Sequence, residues 1–163
     1  DLAGAANAFD VAAFKAQQLG STGDAVDAYS FGAYLAWRRG DQAGAERRLR
    51  QAASLVDPHT EAAAALRLLA LRCRVEIPPS AGPTSTDPAI ATLIHAREAW
   101  TRGDTETSSR LLDQSRSEGI ETTWFAEEAT LLAKDLGGPA RKFKADPPYP
   151  VRLRFIAVWE LGR

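Results

Sequence analysis

The feature of this sequence that most limits its possible folds is an internal repeat with a spacing of 63 residues. The segment AYLAWRRGD, from Ala33 to Asp41, returns as AREAWTRGD from Ala96 to Asp104, with six of nine positions identical. The same offset pairs Asp24 with Asp87, Leu49 with Leu112 and Gln51 with Gln114. A match that stays in register over about thirty residues indicates two copies of one structural unit.

Each copy is predicted to be two helices joined by a tight Gly-Asp turn. Gly40 and Gly103 can adopt the left-handed conformation that closes a helix. Asp41 and Asp104 can then accept the first free N–H groups of the following helix. The sequence therefore predicts a helical hairpin in each copy.

The limits of these helices are also predicted. The first helices are expected to begin at the N-cap residues Asp24 and Asp87, and Pro88 suits the first helical position. The second helices are predicted from about Gln42 to Leu55 and from about Thr105 to Arg116. Each carries a stripe of residues at helical spacing, Ala45, Leu49 and Ala52 in one and Ser108, Leu112 and Ser115 in the other.

Three further helices flank the hairpins, at residues 3–19, 59–73 and 122–136. The tail differs, because every odd position from Val151 to Leu161 is apolar, and this period of two predicts a strand. The predicted fold is therefore all-α, an antiparallel array of about seven helices, with a short C-terminal β-strand at 151–161.

Charge is uneven along the chain although the net formal charge is only -1. Residues 81–140 carry five basic and ten acidic side chains, a balance of -5, whereas residues 141–163 carry six basic and two acidic ones, a balance of +4. We expect this basic tail to fold back on its own domain, and contact with an outside polyanion is the alternative.

The hairpins resemble the tetratricopeptide repeat (TPR), a helix-turn-helix unit. In the first copy the residues at signature positions are Tyr29, Ala33, Gly40, Asp41, Ala45, Leu49, Ala52 and Leu55. The second copy matches at Ala96, Gly103, Asp104 and Leu112. The resemblance implies a TPR-like α-solenoid domain at 1–140, with repeat units at about 24–57 and 87–120 and a basic tail at 141–163.

The resemblance also implies a concave groove that binds a peptide or a partner helix. The first helix of each pair would face it, with Asp27, Ser30, Tyr34, Trp37 and Arg38 in one unit and Leu93, Arg97, Trp100 and Thr101 in the other. The candidate partner-binding residues are Tyr34, Trp37, Arg38, Arg97 and Trp100. Packing of both tryptophans against a neighbouring helix is the competing interpretation, and the favoured one.

Catalytic and metal-binding patterns are weak. The two histidines, His59 and His95, and the single Cys73 are not spaced along the sequence as metal ligands are. Structural roles are therefore expected for all three, and no metal or cofactor is predicted. Two groups of carboxylates, Glu127 with Glu128 and Glu118 with Glu121, are expected to be solvated. Adjacent helical residues point about 100° apart and cannot act as a catalytic pair.

The function expected from the sequence is a protein-protein interaction or regulatory module and not an enzyme. A ligand-sensing regulatory domain, a nucleic-acid-associated regulator using the basic tail, and a helical enzyme are the alternatives, in decreasing order. Methionine is absent even at position 1, so the chain is either a processed mature protein or a piece of a larger one. We favour the second, and we expect the larger protein to be bacterial. No apolar run is long enough to span a membrane, and a cytoplasmic location is favoured.

Overall fold

The computed structural model describes residues 1–77, 87–123 and 125–138. These residues are all-helical: α1 (Leu2–Gln18), α2 (Thr22–Arg38), α3 (Gln42–Ala53), α4 (Glu61–Arg72), α5 (Pro88–Thr101), α6 (Thr105–Ser117) and α7 (Ala126–Asp135), with a 3-10 turn at Ile120–Thr122. The predicted all-α class is confirmed. The predicted strand at 151–161 and the basic tail lie outside the described residues.

The chain divides into two compact units, Asp1–Thr84 and Ser85–Arg163. In the first unit α2 lies between α1 and α3 and contacts both, and α4 packs on α3 and α2. In the second unit α5 packs along α6, and α7 contacts α6 and the 3-10 turn. Each unit buries its own apolar side chains, such as Leu49 in the first and Leu132 in the second, both 0% exposed.

The Gly-Asp turns form as predicted. Gly40 has φ 84° and Gly103 has φ 82°, both in the left-handed region that a side chain disfavours. The Asp41 carboxylate accepts a hydrogen bond of 2.8 Å from the Gly44 N–H. Asp104 accepts one of 3.0 Å from the Thr107 N–H. Both aspartates therefore cap the following helix, and this prediction is confirmed.

Two predicted helix starts are corrected. α2 begins at Thr22 with Ser21 as its N-cap, because the Ala25 N–H donates to Ser21 O at 3.1 Å. Asp24 therefore lies in the first turn, where its Oδ2 accepts a hydrogen bond of 2.7 Å from the Ser21 Oγ. α7 begins at Ala126 with Phe125 as its N-cap, because the predicted start at 122 falls in the 3-10 turn Ile120–Thr122. The predicted start at Asp87 is confirmed, since its carboxylate accepts a hydrogen bond from the Ala89 N–H.

The helices that follow the two hairpins, α4 and α7, end in the same way. At the 63-residue offset, Arg74 after α4 corresponds to Gly137 after α7, and both have positive φ, 54° and 83°. The same bond closes both helices, from Val75 N–H to Ala70 O at 2.9 Å and from Gly138 N–H to Ala133 O at 2.8 Å. The helix that follows each hairpin therefore ends in the same backbone conformation in both units.

The stripes on α3 and α6 use different chemistry at equivalent positions. Ala45 and Ala52 are fully buried in the first unit, and their counterparts Ser108 and Ser115 are fully buried in the second. The two serine hydroxyls donate across to carbonyl oxygens of α5, Ser108 to Ala96 at 2.8 Å and Ser115 to Ala89 at 2.6 Å. Burial of the hydroxyls is therefore compensated.

Candidate functional site

Two of the predicted binding residues, Tyr34 and Trp37, touch each other on α2. Residues three apart lie on the same side of a helix. Their ring centroids are 6.1 Å apart and the ring planes are inclined by 40°. Tyr34 is 5% exposed and Trp37 is half-buried. The tyrosine therefore forms a buried support, and part of the indole remains open to solvent.

The corresponding pair on α5 is Arg97 and Trp100, at the 63-residue offset from Tyr34 and Trp37. The guanidinium carbon of Arg97 lies 5.1 Å from the centre of the indole ring, which is a cation-π arrangement. Arg97 is 1% exposed and Trp100 is half-buried. The two units thus use different side chains to support a tryptophan at the same position.

Asp135 also holds the guanidinium of Arg97. One terminal nitrogen of Arg97 donates to Asp135 Oδ2 at 2.5 Å. Asp135 is the last residue of α7, whereas Arg97 and Trp100 belong to α5. The ion pair therefore connects two helices of the second unit and fixes the cation under the tryptophan ring.

Arg38 is the fifth candidate, and it lies half-buried in the last turn of α2, beside Trp37. A cation in the last turn of a helix is favoured by the negative end of the helix dipole. Of the other positions that the resemblance implied for the groove, Ser30 and Leu93 are fully buried. Ser30 donates its hydroxyl to Val26 O at 2.7 Å, so neither residue presents a contact surface.

The first unit contains a second buried arginine that the sequence did not single out. Arg48 on α3 is 1% exposed and donates to both carboxylate oxygens of Asp10 on α1, at 2.7 and 2.6 Å. It also donates to Gly44 O at 3.1 Å. Gly32 on α2 leaves room for it, since a Cβ there would lie 3.1 Å from Arg48 Cδ.

Not all of the four glutamates that were expected to be solvated are exposed and free of contacts within the fold. Glu127 is 2% exposed, and the expectation is wrong for it because it lies on the same buried face of α7 as Thr130 and Leu131. Glu118 is exposed, yet it accepts hydrogen bonds from Thr92 Oγ1 at 2.7 Å and Gln114 Nε2 at 2.8 Å. These bonds, the Thr92 bond first, lower the pKa of Glu118.

The remaining chemical candidates are separate from one another. Cys73 is fully buried just after α4, and His59 and His95 are exposed. Within residues 1–77, 87–123 and 125–138, histidine, cysteine and carboxylate side chains form no group able to hold a metal ion. No helix in this part of the chain is long and apolar enough to cross a membrane.

Comparison with known proteins identified no relative of this chain. The chain matches no protein-family model, and neither a curated protein nor a solved structure is detectably similar to it. The functional argument therefore rests on the residues and contacts of the chain itself.

Proposed function

We propose that this chain is a binding module that holds a peptide or a segment of a partner protein against its tryptophan-bearing helices. The observation that carries the proposal is the partly exposed indole of Trp100, which stacks against the buried guanidinium of Arg97. Tryptophan and arginine are the residue types most enriched among the side chains that dominate binding energy.

Support of the ring matters because a mobile side chain must lose rotamer freedom when a partner binds. That loss costs about 0.5–1.5 kcal/mol for each flexible side chain immobilised. Arg97 already contacts the ring and is held by Asp135, so Trp100 is ordered before any partner arrives. A pre-ordered, partly exposed aromatic surface favours binding at low entropic cost.

The first unit supports the proposal independently. Trp37 occupies the same repeat position as Trp100 and rests on Tyr34 instead of an arginine. Both tryptophans keep part of the indole accessible to solvent, so a partner can contact them. The TPR resemblance assigns both positions to the helix that faces the ligand, which agrees with the proposed role.

Binding is favoured over catalysis by the state of the polar groups. Glu118 is engaged by Thr92 and Gln114, and Glu121 lies 3.5 Å from Arg116, so these carboxylates already serve contacts within the fold. Asp41 and Asp104 cap helices. A general acid or base needs access to a substrate, and these groups have structural partners instead.

The test uses a displayed library of random twelve-residue peptides, selected on the immobilised full chain. Binding of a selected peptide is then measured by titration for the wild type, Trp37→Ala, Trp100→Ala and the control Arg110→Ala, which changes an exposed residue of α6. We expect at least one tryptophan variant to bind about tenfold more weakly, which is about 1.4 kcal/mol, and the control to bind as the wild type does.

Thermal unfolding of the same variants decides between binding and core roles. The proposal requires that the melting temperatures of the tryptophan variants fall by only a few degrees. If both substitutions instead remove about 3–5 kcal/mol of stability, as loss of a buried tryptophan does, the rings are core residues and the proposal is wrong.

A further inference from the structure

The two tryptophans lie at the same place in the backbone of their units. Residues 37–41 read WRRGD and residues 100–104 read WTRGD, so four of five are identical, and we call these segments the tryptophan turns. The Gly40 N–H donates to Trp37 O at 2.9 Å, and the Gly103 N–H donates to Trp100 O at 2.9 Å. Each indole therefore leaves its helix three residues before a glycine of left-handed conformation.

The rest of each tryptophan turn matches as well. The Asp41 N–H donates to Ala36 O at 2.9 Å, and the Asp104 N–H donates to Ala99 O at 3.0 Å. Both alanines are 0% exposed. The helix that follows packs along the helix that carries the tryptophan, α3 along α2 and α6 along α5. Each unit therefore presents its indole from an equivalent helical hairpin.

Each ring is ordered by contacts of its own unit. In the first unit Trp37 contacts Tyr34, and both belong to α2. In the second unit the Arg97 guanidinium stacks on Trp100 and is bound by Asp135. The supporting residues lie within the same compact unit as their tryptophan. Each ring is therefore held in place without the help of a residue from the other unit.

We propose that each unit binds one peptide segment, so that one chain holds two segments at once. The inference rests on the proposed function, because it takes both tryptophans as binding residues, and it adds the number of sites. The tryptophan turns share sequence and backbone hydrogen bonds, and each ring is ordered within its own unit. Equivalent surfaces in two compact units favour two equivalent sites over one site that uses both rings.

The partner that fits two such sites is a chain that carries the same short segment twice. Each site offers an indole, against which an apolar or aromatic side chain of the segment is buried. Each tryptophan turn also carries an exposed arginine two residues after the tryptophan, Arg39 in the first and Arg102 in the second. Because the two turns offer the same groups, one kind of segment satisfies both.

Two linked segments bind more tightly than one. After the first segment has bound, the second is held near its site at an effective concentration of about 1 mM. For segments that each bind with a dissociation constant of about 10 μM, the linked pair has an apparent constant of about 0.1 μM, a gain of about a hundredfold without any new contact. Two tryptophan turns therefore suit a partner whose single segments bind weakly.

The number of sites is measured by calorimetric titration of the full chain with the peptide selected from the library described above. We expect two peptides per wild-type chain. Trp37→Ala and Trp100→Ala should each leave one strong site, and Arg110→Ala, which changes an exposed position of α6, should keep two. The wild-type value requires no substitution, so it decides between one site and two even where a tryptophan variant unfolds.

A tandem peptide tests the two-segment partner. It carries the selected segment twice, joined by Gly/Ser linkers of about 10, 20 and 40 residues, which span about 18, 25 and 36 Å on average. At least one tandem peptide should bind the wild type about tenfold or more tightly than the single peptide does. The matched control has its second copy scrambled and should show no gain. Either tryptophan substitution should remove the gain, and its absence from the wild type at every linker length overturns the two-segment partner.

The outcomes separate this inference from the proposed function. One peptide per wild-type chain, with binding weakened by both tryptophan substitutions, overturns the two sites and retains the proposed function, because a single segment then contacts both rings. Two peptides per chain that both substitutions leave unchanged would show that the sites are not at the tryptophan turns. If no selected peptide depends on either tryptophan, the proposed function is wrong, and this inference is wrong with it.

Discussion

Arg48 on α3 and Asp10 on α1 join the two helices that pack on either side of α2. The arginine is 1% exposed, whereas the aspartate side chain is 34% exposed at the edge of the pair. Removing the aspartate leaves a buried cation, and removing the arginine leaves a carboxylate that water can reach. Loss of the aspartate side chain should therefore lower the stability of the fold more than loss of the arginine side chain does.

The first prediction follows from that inequality. Asp10→Ala should lower the free energy of unfolding by about 2–3 kcal/mol, and Arg48→Met, which keeps the volume, should cost less. Urea unfolding measures both. Asp113→Ala is the control, because its side chain is 73% exposed, and it should stay within about 0.5 kcal/mol of the wild type. A larger loss for Arg48→Met than for Asp10→Ala would contradict the explanation.

The second prediction concerns two glycines of α2. A Cβ at Gly32 would meet Arg48 Cδ at 3.1 Å and Phe9 Cβ at 3.3 Å, whereas a Cβ at Gly23 meets nothing within 4 Å. Gly32→Ala should destabilise the chain by about 1–2 kcal/mol through overpacking. Gly23→Ala should stabilise it by about 0.5 kcal/mol through helix propensity. Melting curves of the two variants should shift in opposite directions, and a shift in the same direction rejects the packing argument.

The third prediction uses the matched helix ends. Arg74 has φ 54°, the one positive φ of a non-glycine residue in the described part of the chain, where Gly137 stands in the second unit. A side chain in this conformation costs about 1 kcal/mol. Arg74→Gly should therefore be neutral or gain up to about 1 kcal/mol, and Gly137→Ala should lose about 1 kcal/mol. Chemical denaturation checks both, and a stabilising Gly137→Ala would show that the two ends are not equivalent.

The fourth prediction is a loss of stability in acid through the helix caps. The hydrogen bond from the Thr107 N–H lowers the pKa of Asp104 below its ordinary value of 3.8. The pKa of Asp41 is also lowered, mainly by its hydrogen bond from the Arg39 side chain and next by the one from the Gly44 N–H. A lowered pKa stabilises the fold above pH 3.8, and this stabilisation disappears as the pH falls through the folded-state pKa.

Asp104→Asn tests this prediction, because asparagine still caps the helix but cannot titrate. Melting temperatures are compared between about pH 5 and about pH 3. The wild type should lose more stability over this range than Asp104→Asn does. Equal losses would mean that the Asp104 cap does not contribute to acid sensitivity.

Structural features that depend only on residues close together in the sequence could be predicted from it. The Gly-Asp turns and the Asp87 start were correct because each needs only a glycine able to take positive φ, or an aspartate beside a free N–H. The pairing of Tyr34 with Trp37 is also local, since three residues separate them. These contacts belong to single helices and their ends.

Tertiary pairings were missed because nothing local marks them. Arg48 with Asp10 and Arg97 with Asp135 are each separated by 38 residues. Both depend on how three helices pack, and a buried arginine looks like a surface arginine in the sequence. The helix after each hairpin was expected, at 59–73 and 122–136, but the common conformation at its end was not, since Arg74 and Gly137 share a backbone conformation and not a side chain.

The buried serines of α6 determine how freely the second unit can tolerate change. Alanine surfaces such as those of α3 can slide by a fraction of a turn with little loss, because dispersion contacts have no fixed direction. Ser108 and Ser115 reach individual carbonyl oxygens of α5, and a displaced hydroxyl would be left unsatisfied at a cost of about 1–3 kcal/mol. The α5–α6 hairpin therefore has one strongly preferred packing register, whereas the α2–α3 hairpin can shift its register at little energetic cost.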